Sequence, residues 1–249
     1  MSKEIIILGS TGSIGKSILK VISNNKNNFE IKLLTTNNNI SLIFSQAIKF
    51  KVNTVVINNQ NKYEKYKKKF EKNNIKVFFK IKDAVKKFKK KVNYTINGIS
   101  GIEGLEPTID VIPHTNHIAI ANKESIICGW NFIKKSLIKY KTKFIPIDSE
   151  HFSIWSLLNG ESVNNIYKIY LTASGGPFLN KKKKEIKNIK AKEAIKHPNW
   201  IMGKKISIDS ATMMNKIFEL IEATKIFKLN IDKFKIIIHP KSYIHAIIQ

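Results

Sequence analysis

The chain has 249 residues, 43% of them hydrophobic, with 44 basic against 18 acidic side chains and a formal charge of +26. That apolar content excludes a disordered tail and allows one large domain or two smaller ones; a single cysteine, Cys128, excludes an internal disulfide and any cysteine-built metal cluster. No apolar run approaches the roughly 20 residues of a bilayer span, and Met1 leads directly into a strand-like segment, so a soluble cytoplasmic protein without a signal or transit segment is expected.

From the N-terminus, "KEIIILG" reads as a buried strand, "GSTGSIG" (9 to 15) as a glycine turn, and the segment to residue 22 as a helix with apolar residues at helical spacing. Alternation continues with strand "FEIKLLT", a helix over about 41–50, strand "NTVVI", a lysine-rich helix over about 60–74, strand "IKVFF" and a helix over about 82–90. Strand "NYTIN", a helix over about 104–112, strand "HIAIA", a helix over about 123–140 and strand "KFIPI" follow. Continuously apolar strands separated by helices imply an α/β fold, a doubly wound parallel sheet of Rossmann-like type ending near residue 150. The rhythm then changes. A short helix over about 151–158, strand "IYKIYLTA", a polar loop over 174–206, a helix over about 209–228 and strand "FKIIIH" point to a second domain of α+β type.

All the basic residues are lysine, although bidentate recognition of phosphate and guanine favours arginine. Runs such as "NKYEKYKKKFEKNN" (61 to 74) and "NKKKKEIKNIKAK" (180 to 192) read as solvated helix faces shaped by compositional drift, so no specific nucleic-acid partner is expected.

Several stretches carry candidate chemistry, each beside a plainer alternative. "GSTGSIG" between strand and helix suits a dinucleotide pyrophosphate, against a simple tight turn. After the second strand, "TTNNN" (35 to 39) offers no carboxylate to a ribose, which leans towards NADPH. Asp148 and Glu150 follow "KFIPI" at the carboxyl end of the sheet. In extended chain, residues two apart point the same way, so both can face one hard cation; the alternatives are exposed loop acids or a helix capped by Ser149. In "KISIDSATMMNKIFELIEA" (205 to 223), Ser210 is expected at the helix start, with Asn215, Lys216 and Glu219 beyond it. Asn215 and Glu219 share a face, fit for a metal and a phosphate or for an ordinary amphipathic helix. "LTASGGPF" (171 to 178) places Ser174 before two glycines, an anion site or a mere turn. "HPNWIMGKK" (197 to 205) holds His197, Trp200 and Met202, as a lid or as packed residues. Asn122 caps the long helix, with Lys123 as a possible substrate contact. Tyr63 and Lys67 mimic a Tyr-x-x-x-Lys pair but lie too early in the chain.

Together "GSTGSIG", "ANKES", "PIDSEH", "SGGPF", "HPNWIMGKKISIDSATMMNK" and "HPKSYIH" resemble the 1-deoxy-D-xylulose 5-phosphate reductoisomerase family, from residue 4 to the last. The resemblance implies NADPH- and Mg- or Mn-dependent rearrangement and reduction of that ketose phosphate to 2-C-methyl-D-erythritol 4-phosphate, in non-mevalonate isoprenoid synthesis. It implies an NADPH-binding domain over 1–150 and a metal- and substrate-binding catalytic domain over 151–249, and homodimers. It makes Asp148, Glu150 and Glu219 the metal ligands, and these three with Lys123 and His197 the catalytic set. Lys123, Ser149, Glu150, Ser174, His197, Ser210, Asn215, Lys216 and Glu219 become substrate contacts. Thr11, Gly12, Ser13, Ile14, Asn37, Asn38, Asn39, Asn122, Glu124 and Gly203 become cofactor positions. Trp200 and Met202 match the family's lid. The chain departs from the pattern at Asn37 to Asn39, where relatives often carry Gly-Lys-Asn, and at Phe152 and Ser156. The family has a further helical domain, so the chain is expected to be a fragment or a truncated gene product, the latter a non-catalytic NADPH-binding remnant.

Overall fold

The computed structural model describes residues 2–196 and 203–249, in two units, 1–146 and 147–249. In the first unit the strands are β1 (Lys3–Leu8), β2 (Phe29–Thr36), β3 (Thr54–Ile57), β4 (Lys76–Phe78), β5 (Val92–Asn97), β6 (Thr115–Ile120) and β7 (Lys143–Pro146). The helices between them are α1 (Ser13–Asn24), α2 (Ile40–Lys49), α3 (Gln60–Glu71), α4 (Ile81–Val85), α5 (Leu105–Val111) and α6 (Lys123–Tyr140). All strand pairings are parallel, in the order β4-β3-β2-β1-β5-β6-β7. Helices cover both faces, which is why Ile6, Ile7 and Leu8 are wholly buried rather than alternating. Strand order reverses between β1 and β5, the topological switch where such sheets bind ligands, and the glycine turn lies there. The core beside β1 joins Leu19 and Ile22 of α1 to Ile43 of α2, Phe70 of α3 and Val55 of β3.

Two expected helices are shorter. α3 ends at Glu71 because Asn74, at φ +59°, turns the chain into β4; asparagine tolerates that left-handed conformation. α4 stops at Val85 rather than near residue 90; beyond it the N–H groups of Lys87 and Phe88 donate only three residues back, to the Ala84 and Val85 carbonyls, so the last turn tightens and the helix closes.

The second unit contains α7 (Ser149–Leu158), β8 (Ile169–Ala173), α8 (Lys183–Ile186), α9 (Ala191–Ala194), α10 (Lys204–Ala211), α11 (Met214–Phe227), β9 (Phe234–Ile238) and β10 (Ala246–Ile248). β8 is central, parallel to β9 and antiparallel to β10. Ile154 of α7, Ala223 and Phe227 of α11, Ile169 and Leu171 of β8, Phe234 and Ala246 form its core.

Here several expectations give way. The presumed loop over 174–206 includes α8, α9 and the first turn of α10. Each short helix opens with a glutamate accepting a backbone N–H three residues earlier, Glu185 from Lys182 at 2.6 Å and Glu193 from Lys190 at 3.1 Å. The single helix over 209–228 is two, separated by Met213 at φ +60°. The cause is tertiary: a Cβ on Gly176 would sit 2.7 Å from the Ser210 carbonyl oxygen, so the glycine loop presses against the end of α10. Ser210 therefore stands near the close of α10, not at a helix start. The strand expected over 166–173 begins at Ile169, and β10 was not foreseen.

Candidate functional site

In the first unit the glycine turn is built by close backbone approach. Gly9 has φ +74°, and a Cβ on Gly15 would lie 2.5 Å from the Gly9 carbonyl oxygen, so α1 starts hard against the turn. Ser10 is fully buried; its hydroxyl donates to Gln46 Oε1 at 2.8 Å, and its N–H to the Thr35 carbonyl at 3.0 Å. The Thr11 and Thr36 hydroxyls are hydrogen-bonded at 2.8 Å. Gly12, Ser13 and Ile14 stay exposed at the start of α1. This open cradle, beside a helix N-terminus, fits the pyrophosphate of a dinucleotide.

Asn37, Asn38 and Asn39 are exposed after β2, and Asn39 caps α2 by accepting the Leu42 N–H at 3.2 Å. Asn122 caps α6 through the Ser125 N–H at 2.6 Å, while its side-chain amide donates to the carbonyls of Ile99 and Gly101. It holds the 99–104 loop to α6. Lys123 and Glu124 occupy the first turn of α6, Lys123 buried. Gly203 precedes α10 in the second unit, and among the described residues a Cβ there would meet nothing within 4 Å. His197, Trp200 and Met202 lie outside the described residues.

The remaining candidates converge in the second unit around a cavity of about 390 Å³, lined by Asp148, Ser149, Glu150, Ser174, Ser210, Asn215, Lys216 and Glu219, with His245 and Met213. The convergence of Asp148 and Glu150 has a different origin from strand alternation. Asp148 is the extended N-cap of α7 and Glu150 lies in that helix's first turn, so the helix start gathers the two acids. Glu219, 1% exposed, comes from the second turn of α11. One ligand atom from each of the three lies within 4.8 Å of the others. Ser149 donates its hydroxyl to Glu150, and Asn215 its amide to Glu219, which orients both carboxylates. Lys216, 4% exposed, sits 2.7 Å from Glu150 Oε1 and also pairs with Glu219.

Three carboxylates against one ammonium leave negative charge in excess. Burial raises the Glu150 pKa, Glu219 and Asp148 push it further, and Lys216 opposes them. Burial lowers the pKa of Lys216, but Glu219 and Glu150 outweigh it and the net shift is upward. The Asn215 amide oxygen, buried here, has no hydrogen-bond partner among the described residues. An oxygen-rich, electronegative set of this kind fits a hard divalent cation.

Two residues that sequence reasoning passed over complete the arrangement. His151 is wholly buried, with Nδ1 3.3 Å from Asp148 Oδ1 and 3.5 Å from Glu222 Oε2, and Nε2 donating to the Glu219 carbonyl at 2.9 Å. Burial disfavours its charged form, but the Asp148 hydrogen bond and the Glu222 charge prevail and raise its pKa to about 9. The protonated ring thus ties the start of α7 to α11. Its adjacency to Glu150, and Glu222's place three residues after Glu219 on one helix face, were the available signals. His151, Asp148 and Glu222 also have ligand atoms within 4.8 Å of one another.

The fold and these two clusters define an α/β protein with a dinucleotide-type glycine turn in one unit and an oxygen-lined cavity whose carboxylates fit a cation in the other. Residues 5–129 match the family model for 1-deoxy-D-xylulose 5-phosphate reductoisomerase and residues 144–227 that for its C-terminal domain. The chain belongs to the 1-deoxy-D-xylulose 5-phosphate reductoisomerase family. It is 55% identical over 249 residues to the reductoisomerase of Pelagibacter ubique, covering 99% of this chain and 64% of that one. Against the enzyme of Caldanaerobacter subterraneus it is 41% identical, with the same coverage. A crystal structure of DOX-P reductoisomerase with NADPH, fosmidomycin and magnesium superposes with TM-score 0.90 at 33% identity, covering 99% of this chain and 64% of that one. The Zymomonas mobilis enzyme with NADPH gives 0.89 at 31%, covering 100% and 64%. The chain thus spans about two-thirds, 64%, of the length of these relatives. Among the described residues no helix is long and apolar enough to cross a membrane.

Proposed function

We propose that this chain carries the cofactor and metal centres of a reductoisomerase that rearranges and reduces 1-deoxy-D-xylulose 5-phosphate to 2-C-methyl-D-erythritol 4-phosphate, as a cytoplasmic homodimer. The observation that carries the reading is the convergence of Asp148, Glu150 and Glu219 beside Ser174, Ser210, Asn215 and Lys216 on one cavity. A bound Mg or Mn ion supplies Lewis acidity to the ketose oxygens, and NADPH a hydride. Asp148, Glu150 and Glu219 hold the ion, with Ser149 and Asn215 fixing two of the carboxylates. Ser174 and Ser210 offer hydroxyls, Asn215 an amide and Lys216 an ammonium to the substrate phosphate and hydroxyls. His197 and Glu150 complete the substrate contacts of the second unit. Thr11 to Ile14, Asn37 to Asn39, Asn122 and Glu124 form the cofactor's surroundings in the first unit.

The test is NADPH oxidation in the presence of Mn and the ketose phosphate. Turnover by the wild type and its loss in Glu219→Gln support the proposal; undiminished turnover in that variant removes Glu219 from the metal shell.

A further inference from the structure

The segment after β2 is where this type of fold distinguishes an adenosine ribose bearing a free hydroxyl from one bearing a phosphate. Here it carries neither an acid for the hydroxyl nor a basic residue for the phosphate, only Thr35, Thr36 and three asparagines. The structure brings a cation to it from elsewhere. Asn59 caps α3 by accepting the Lys62 N–H at 3.0 Å, and its amide donates to Asn38 Oδ1 at 3.1 Å. The first turn of α3 is thereby fastened to the loop after β2. Lys62, half-buried in that turn, reaches across and donates from Nζ to the Asn38 carbonyl at 2.8 Å. The same loop is tied to the glycine turn, because the Thr36 hydroxyl accepts the Asn39 N–H at 3.3 Å and bonds to Thr11. The ammonium therefore stands on the ribose side of the dinucleotide cradle, and the neighbouring stretch 58–61 adds no acid to repel an anion.

We propose that Lys62 selects NADPH over NADH by pairing with the ribose 2'-phosphate, from α3 instead of from the loop itself. Its bond to Asn38 uses one of three N–H donors, and its position against the loop limits the entropy lost when a phosphate joins. The inference rests on the cofactor reading above and concerns which residue confers the preference.

The experiment titrates the full chain with NADPH and with NADH, followed by nicotinamide fluorescence, for the wild type, Lys62→Gln and Lys62→Arg. Adenosine 2',5'-bisphosphate and adenosine 5'-monophosphate serve as competing probes. In Lys62→Gln, NADPH and the bisphosphate should bind about tenfold more weakly, the loss of one charge-assisted contact at a half-exposed site, while NADH and the monophosphate stay within about twofold. Lys62→Arg should keep the preference. Parallel weakening of both dinucleotides would make Lys62 a loop support and overturn the inference, as would an undiminished preference in Lys62→Gln. A wild type that binds NADPH no better than NADH overturns the cofactor reading and this inference together.

Discussion

Replacing Gly15 by alanine sets two opposed effects against each other. Gly15 is the third residue of α1, where alanine gains about 0.5–1 kcal/mol of helix propensity over glycine. Its Cβ, however, would lie 2.5 Å from both the Gly9 carbonyl oxygen and the Ser10 Cα, and 2.6 Å from the Ser10 carbonyl carbon. These are backbone atoms with nowhere to retreat, since buried Ser10 is bonded to both Gln46 and Thr35. Overpacking typically costs about 1–3 kcal/mol, and a clash with fixed backbone belongs at the upper end. The expected net loss is therefore about 2 kcal/mol, together with weaker dinucleotide binding. Gly129 in α6 is the control: its Cβ would meet the methyl carbons of Leu105 at 2.2 and 2.8 Å, but that half-exposed side chain can turn away. Gly129→Ala should stay within about 1 kcal/mol of the wild type. Urea unfolding followed by far-UV circular dichroism, without metal or nucleotide, compares them. A Gly15→Ala chain as stable as the wild type, or a Gly129→Ala chain losing equally much, would refute the reasoning.

Lys216→Met should destabilise the metal-free protein by about 3 kcal/mol, because removing one partner of a buried ion pair strands the other charges; Mn at neutral pH should recover much of the loss, and thermal melts with and without Mn test this. In EDTA the protonated His151 should make stability pH-dependent: its folded pKa of about 9 exceeds 6.5, so its contribution is complete below pH 6.5 and disappears as pH rises through about 9. The span between those values corresponds to roughly 3 kcal/mol; urea midpoints that do not fall between pH 6.5 and 9.5 would contradict it.

The parallel sheet was legible because each buried strand is a short apolar run and each connection a helix with its own stripe or cap. The 18 residues of α6 begin at the Asn122 cap and end where Lys141 turns left-handed, both local effects. The break at Met213 was not legible, since neither glycine nor proline marks it; Gly176, distant in sequence, packs against Ser210 and Ala211 just before it. The acids at 148 and 150 were found for an incomplete reason. Alternation in a strand and the opening turn of a helix both bring such residues together, and the sequence does not distinguish them. His151 was overlooked because a histidine amid acids gains its meaning only when Glu222 and the Glu219 carbonyl are seen to close around it. β10 escaped notice because three residues carry almost no pattern, and its pairing with β8 is long-range.

The contact between His151 and the Glu219 carbonyl joins positions 68 residues apart. The closure entropy of a chain segment grows only with the logarithm of its length, so doubling the intervening stretch would add about 0.6 kcal/mol. The lysine-rich region around α8 and α9 can therefore lengthen, shorten or drift in composition at small expense, provided the two ends still meet. A length change confined to that region thus shifts the cost of closing the His151–Glu219 contact by only a fraction of a kcal/mol, about as much as one weak surface ion pair contributes.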